Sequence, residues 1–364
     1  MIAALRRTAL ALGLLALPAA HAAPFKYSCD LLDQHGSQAY GRALNAAGKT
    51  AGWNAGAARW SRRGKRADLP GAIPGQTSDA HGINDAGRVV GYSGIYGFPG
   101  LPTVWDGDVP TTLPLLPGGA DGQATALNNT GMIAGTSTFD GGDVMHAVVW
   151  DGGAPRDLGA LGDSTSQAQH PSYVTDMNQA GEMVGFSEAD AEGHRHAVYW
   201  GADRKIIDLG TLPRGAESSA SAINGAGTIV GASMSGGPSA RSLPVVWVDR
   251  AIRGLALQPG QTTGSASAIN ASGQIVGANG DEVAVDGAEF KFVGTALLWP
   301  NADQAPIDLN AITEPCKGKR KSFIAERLVW TAGINAKGVI LAEFQGLASY
   351  RLWYFQPARL TPLP

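Results

Sequence analysis

The stretch ASAINGAGTIVGAS, residues 220–233, decides how this chain folds, because its pattern occurs seven times from end to end. The other copies are YGRALNAAGKTAGW from residue 40, AHGINDAGRVVGYS from 80, ATALNNTGMIAGTS from 124, VTDMNQAGEMVGFS from 174, ASAINASGQIVGAN from 266 and TAGINAKGVILAEF from 331. Each puts an aliphatic residue or Met before a key Asn (Asn45, Asn84, Asn128, Asn178, Asn224, Asn270, Asn335) and a Gly three positions after it.

Within a copy, the run before the Asn alternates small and aliphatic residues and reads as a strand. Asn followed by Gly at the fourth place suits a type I turn closed by a left-handed residue, since Asn bonds within the turn and Gly tolerates positive φ. The next run, TIVG or RVVG, carries the chain back antiparallel. After a variable loop comes a third apolar run ending in Trp, at Trp60, Trp105, Trp150, Trp200, Trp247, Trp299 and Trp353. A fourth run is centred on Asp-Leu, at Asp68, Asp157, Asp208 and Asp308, with Leu113 and Leu255 alone in repeats two and five.

Trp spacings of 45 to 54 residues accommodate four short strands per repeat, and no helical periodicity interrupts them. A four-stranded sheet repeated at this period is the signature of a β-propeller blade. The motif count predicts one all-β domain over residues 23–364, a seven-bladed propeller of four-stranded antiparallel blades. Asn and Trp are then structural, the Asn forming turns and the Trp packing between blades.

The N-terminus fits a ring. KYSCDLLD, residues 26–33, resembles the fourth run without a blade before it, so it is predicted to close the last blade. The C-terminal PARLTPLP, residues 357–364, competes for that place, and its prolines make it the poorer strand. Cys29 lies on the closing strand and Cys316 in the connection to blade seven, so a disulfide between them would staple the chain ends.

Residues 1–22 read as a secretion signal: Arg6 and Arg7, a short apolar run, then Ala20-His21-Ala22. The expected mature chain is exported to the periplasm or beyond, monomeric, and not inserted in a membrane. Without Arg6 and Arg7 it holds 26 basic and 31 acidic residues, a net charge of −5. That mild acidity argues against a nucleic-acid binder.

HAVVWDGGAPRDLGALGDSTSQA from residue 146 and HAVYWGADRKIIDLGTLPRGAESSASAINGAGTIVGAS from residue 196 resemble the extracellular repeats named HAF after their His-Ala-Phe triplet. Val replaces Phe in both, and repeats one, two, five, six and seven lack the His. The resemblance spans the mature chain. It implies a secreted repeat protein and a propeller, with no settled activity.

Chemistry is expected on the face opposite the short Asn turns, where loop length varies. Three clusters stand out there: Asp140, Asp143 and His146; Glu188, Asp190, Glu192, His194 and His196; and Asp281, Glu282, Asp286 and Glu289. Their oxygens could hold Ca²⁺, but none has the spacing of a calcium loop. Solvated charge explains most of them. His146 and His196 share one repeat position, four before Trp, which points to a structural hydrogen bond. Lys317, Lys319, Arg320 and Lys321 form a basic run suited to a solvated loop or to an anionic polymer. Nucleophile elbow, phosphate loop and zinc helix motifs are missing from the sequence. The reading is therefore a binding or scaffold module for a protein or glycan, without a cofactor. The alternatives are a hydrolase or lyase using acidic and His residues of the loop face, and a calcium-stabilised repeat.

Overall fold

The computed structural model describes residues 26–32, 38–94, 100–162, 170–237, 239–285, 289–317, 326–347 and 353–364. The expected leader, residues 1–22, lies outside them. The chain forms seven four-stranded antiparallel sheets, a seven-bladed β-propeller. Blade three shows the plan: Gly122–Leu127, Ile133–Thr138, Met145–Trp150 and Arg156–Asp157 are hydrogen-bonded in sequence order. Each blade's first strand touches those of both neighbours, and blade seven's touches blade one's, so the ring closes around a central channel. One helical turn, Leu309–Ile312, is the only helix among the described residues, and none is long and apolar enough to cross a membrane.

The Asn turns form as the sequence predicts. Asn224 Oδ1 accepts the N–H groups of Ala226 and Thr228, each at 3.0 Å, and Gly227 takes φ of 79°. A side chain with a Cβ would be strained there. The seven key Asn are nevertheless buried, and their amides do a second job that no turn requires. Asn45 Nδ2 donates to the carbonyl of Asn84 at 2.9 Å, and the same step links Asn84 to Asn128, Asn178 to Asn224, Asn224 to Asn270, and Asn270 to Asn335. Asn335 Nδ2 makes the same bond to Asn45 O at 3.0 Å, so six of the seven junctions are linked this way and, among the described residues, only the Asn128 to Asn178 step is without one.

The Gly of the Val-Gly pair has a different cause. A Cβ on Gly185 would lie 1.8 Å from the Tyr173 carbonyl oxygen, and on Gly91 1.9 Å from that of Asp79. The first strand bulges here in every blade, for example between Val174 and Asp176, and presses its backbone onto the second strand.

Six of the motif Trp residues, Trp60, Trp105, Trp150, Trp200, Trp247 and Trp299, are at most 2% exposed. They sit where their third strand meets the start of the second, as in Ile133↔Trp150. Their rings pack against the preceding blade; Trp105, for instance, joins Ala51, Ala57 and Leu69 of blade one. Five of the indole N–H groups reach the same neighbour: Trp105 donates to Pro70 O, Trp150 to Pro114 O, Trp200 to Leu158 O, Trp247 to Leu209 O and Trp299 to Ala256 O, while Trp60 Nε1 is buried without a hydrogen-bond partner among the described residues.

Trp353 departs from this pattern and corrects the sequence reading. It begins the third strand of blade seven, Trp353–Pro362, opposite Leu347, and Leu360 stands opposite Ile340 where the other blades have Trp. That strand is ten residues long, so its apolar core half comes after Trp353 rather than before it.

Closure follows the expected route. Tyr27–Leu31 pairs antiparallel with Trp353–Pro362, from Tyr27↔Pro362 to Leu31↔Ala358. PARLTPLP is thus no rival outer strand, because most of it is the third strand that the N-terminal strand joins. Cys29 and Cys316 form a disulfide across 287 residues of sequence. Backbone bonds from Glu314 N to Tyr27 O and from Lys317 N to Cys29 O reinforce the same seam.

Candidate ligand site at the channel mouth

The bulge on each inner strand fixes what the channel displays. Three residues before each key Asn, the bulged residue lines the throat: Arg42, His81, Thr125, Thr175, Ser221, Ser267 and Ala332. The throat encloses about 280 Å³. One residue further along, six blades carry Ala or Gly and blade four carries Asp176. Its oxygens accept the N–H groups of Met177 at 2.8 Å and Ile223 at 2.9 Å. Burial in this narrow passage outweighs those bonds and pushes its carboxyl up to about 6.

Five residues before the Asn, toward the loop face, blades one, three, four and seven carry large side chains. The mouth, about 710 Å³, is lined there by Tyr40, Gln123, Tyr173 and Trp330, with Arg42, His81, Phe186 and Glu343 beside them. Aromatic rings flank it on opposite sides of the ring of blades. Trp330 lies 4.9 Å from Phe355, and Phe355 stacks 6.1 Å from Tyr40. Across the opening Tyr173 stacks on Phe186 at 4.9 Å. All five are half-buried, leaving part of each ring exposed.

Polar groups converge between the aromatics. Arg42 holds Asp79 in a fork, Nε to Oδ1 at 3.1 Å and Nη2 to Oδ2 at 2.7 Å. His81 Nε2 stands 3.6 Å from the same carboxylate. Burial works to raise the Asp79 carboxyl, but His81 and Arg42 together outweigh it, and the net shift is downward.

Glu343 faces the opposite situation. It is 1% exposed, and its Oε1 accepts Gly41 N–H at 2.7 Å across the blade seven to blade one interface. Its Oε2 is buried without a hydrogen-bond partner among the described residues. Burial raises its carboxyl well above the usual range, and the Gly41 bond and the Arg42 charge only partly offset this. A carboxyl kept neutral in a pocket can donate a hydrogen bond, or a proton, that an ionised one cannot.

None of the loop residues singled out in the sequence lines this mouth among those the structure describes. His146 and His196 make the structural bonds their shared position suggests: each Nδ1 faces the Asp of its own Asp-Leu, Asp157 at 3.0 Å and Asp208 at 2.9 Å. Those carboxylates also accept Gly159 N–H and Gly210 N–H in the following turn. Asp140 lies in a loop of blade three with φ of 51°, and Asp143 is exposed beyond it. Glu188 meets His170 at 3.3 Å. The backbones of Asp281 and Glu282 lie on a long hairpin of blade six, while their side chains, with all of Asp286, are outside the described residues.

Asp190, Glu192 and His194 come together, their donor atoms within 4.8 Å of one another on an exposed loop of blade four. Asp190 is already held by His194 Nδ1 at 2.8 Å and by two backbone N–H groups. A set containing imidazole suits a transition-metal ion better than the Ca²⁺ weighed as an alternative from the sequence.

The mouth residues were nonetheless present in the repeat alignment. Positions three and five before each Asn vary freely between blades while their neighbours stay fixed, and that contrast is the signal that finds them.

No family model and no curated protein sequence matches the chain. Among solved structures, a protein of unknown function from Dyadobacter fermentans is similar over 93% of this chain and 99% of its own, at 12% identity and a TM-score of 0.44. A gluconolactonase from Xanthomonas campestris is similar over 70% of this chain and 91% of its own, at 13% identity and a TM-score of 0.37. Neither likeness bears on what binds at the mouth.

Proposed function

We propose that this protein is an exported, HAF-like binding propeller whose channel mouth takes a carbohydrate. The observation that carries this reading is the pairing of exposed aromatic faces with forked polar groups in one pocket. A sugar ring presents an apolar C–H face, which lies against Tyr or Trp, and a rim of hydroxyls, which need planar donors and acceptors. Trp330, Tyr40 and Tyr173 supply the faces, and Arg42, Gln123 and Glu343 supply the polar contacts. The volume of about 710 Å³ suits one or two sugar units. A rigid ring of blades keeps these groups in place before the ligand arrives, which limits the ordering cost of binding.

A second reading, a hydrolase or lyase, draws on the same pocket. Carboxylates from two different blades, Asp79 and Glu343, flank Arg42, and the buried Glu343 has the environment of a general acid. Fold alone decides nothing between a binder and an enzyme.

A glycan array followed by calorimetry separates these readings. Wild type is expected to bind one glycan class, and Trp330→Ala or Tyr173→Ala to weaken it at least tenfold. Binding unchanged in both variants, or no binding to any glycan, overturns the proposal. Release of new reducing or unsaturated ends from the bound glycan, lost in Glu343→Gln, establishes the enzyme.

A further inference from the structure

Away from the mouth, the seam where blade seven meets blade one holds a cavity of about 840 Å³. Its lining includes Arg62, Arg63, Lys65, Arg66, Lys317 and Arg359, with Asp30 the one acidic residue there among the described residues. This concentration of positive charge sits on a chain whose formal net charge is −3. We propose that this cleft is a second binding site, and that its ligand is an acidic polysaccharide bearing repeated sulfate, phosphate or carboxylate groups.

Among the described residues the charges are not balanced from within. Arg66 has Asp68 as its own counter-ion at 3.0 Å. Arg62, Arg63, Lys65 and Lys317 have no ion-pair partner among the described residues. Arg359 is 7% exposed, with its Nη2 3.7 Å from Asp30 and its Nη1 3.4 Å from the carbonyls of Gly48 and Ser61. Burial disfavours its charge, and the nearby Arg62 cation adds to that. Like charges gathered against a buried guanidinium are stabilised by an anion in the cleft.

Construction favours a functional site over chance crowding. Arg62, Arg63 and Lys65 lie on the tight turn between Ala57–Trp60 and Arg66–Asp68, where Gly64 takes φ of 78°. The Cys29–Cys316 bond and the Lys317 N to Cys29 O bond fix the opposite wall. The volume exceeds what one oxyanion needs, so several anionic groups fit together. Among the described residues no aromatic side chain lines the cleft, so they offer none of the stacking platforms with which proteins hold single-stranded nucleic acid. That absence favours a polysaccharide over a nucleic acid.

The test uses the full disulfide-bonded protein with dextran sulfate as probe. Neutral dextran, inorganic sulfate and single-stranded DNA are run beside it. Dextran sulfate is expected to bind, with affinity falling as salt rises, and neutral dextran not to bind. Arg62→Ser/Arg63→Ser/Lys65→Ser on the exposed turn is expected to lose at least tenfold. Removing the same charge from Lys205, Arg214 and Arg241 on blades four and five is expected to lose less than threefold. Equal losses in the two triple variants, no binding at low salt, or tighter binding of single-stranded DNA would each overturn the proposal. Trp330→Ala, which probes the mouth, is expected to leave dextran sulfate binding unchanged, so the two sites fail or stand separately.

Discussion

The side-chain amide of Asn335 donates to the main-chain carbonyl of Asn45 at 3.0 Å, although 290 residues separate them in sequence. A turn residue thereby also ties the last blade to the first, one of six such Asn links around the channel. Asn335 Oδ1 still closes its own turn through Lys337 N–H and Val339 N–H. Asn335→Ala leaves these buried groups without partners and is expected to cost about 2–4 kcal/mol. Asn335→Asp keeps the acceptor and loses the donor, so it isolates the bond between blades. Urea denaturation of both variants checks this; an Asp variant as stable as wild type would show that the inter-blade bond contributes nothing.

The Cys29–Cys316 disulfide holds the closing strand to the connection between blades six and seven. Replacing both residues by Ser is expected to lower stability by about 2–4 kcal/mol. The loss should be local first. Amide exchange at Tyr27–Leu31 is expected to speed up before exchange elsewhere, because that strand has only blade seven to pair with. Uniform acceleration around the whole ring would contradict this order.

Glu343 gives stability a definite pH dependence. Its folded carboxyl lies above the ordinary value of 4.5, so the folded chain holds a proton that the unfolded chain releases. This contribution is complete below about 4.5 and is lost as pH rises through the raised folded value. Asp176 acts with the same sign, between 3.8 and about 6. Melting temperatures from about pH 4 to pH 8 should therefore fall less in Glu343→Gln than in wild type. Parallel profiles would rule out a neutral Glu343.

Asp157, held by His146, carries the opposite sign. Burial favours a neutral Asp157, but the His146 bond and Gly159 N–H outweigh it and hold the carboxyl below 3.8. The stability this supplies is present above 3.8 and is lost as pH falls through the lower folded value. His146 is 5% exposed, while the equivalent His196 is more open. His146→Ala is expected to cost about 1–3 kcal/mol and His196→Ala under about 1. Thermal denaturation of the two variants settles the ranking, and equal costs would remove burial as its cause.

The repeats made the blades legible because each motif solves a local problem. Asn224 and Gly227 close a turn within five residues, and Trp200 ends an apolar run that only a buried strand explains. Trp353 misled because a strand carries no mark of where along its length the core begins. The mouth was hidden for a related reason. Arg42 and His81 look like loose variation within a strand until the bulge turns both into the channel.

The sequence by itself determined the number of blades, their four-strand plan and the closing N-terminal strand, since these follow from residues repeated at a regular spacing, and it pointed to the disulfide because its two Cys flank that closure. Only the tertiary structure decided which side chains meet. Glu343 and Arg42 come together at the mouth, and Arg62, Lys317 and Arg359 around one cleft, because ring closure joins the two ends of the chain. Proximity across some 300 residues is a property of the closed ring, and no local pattern encodes it.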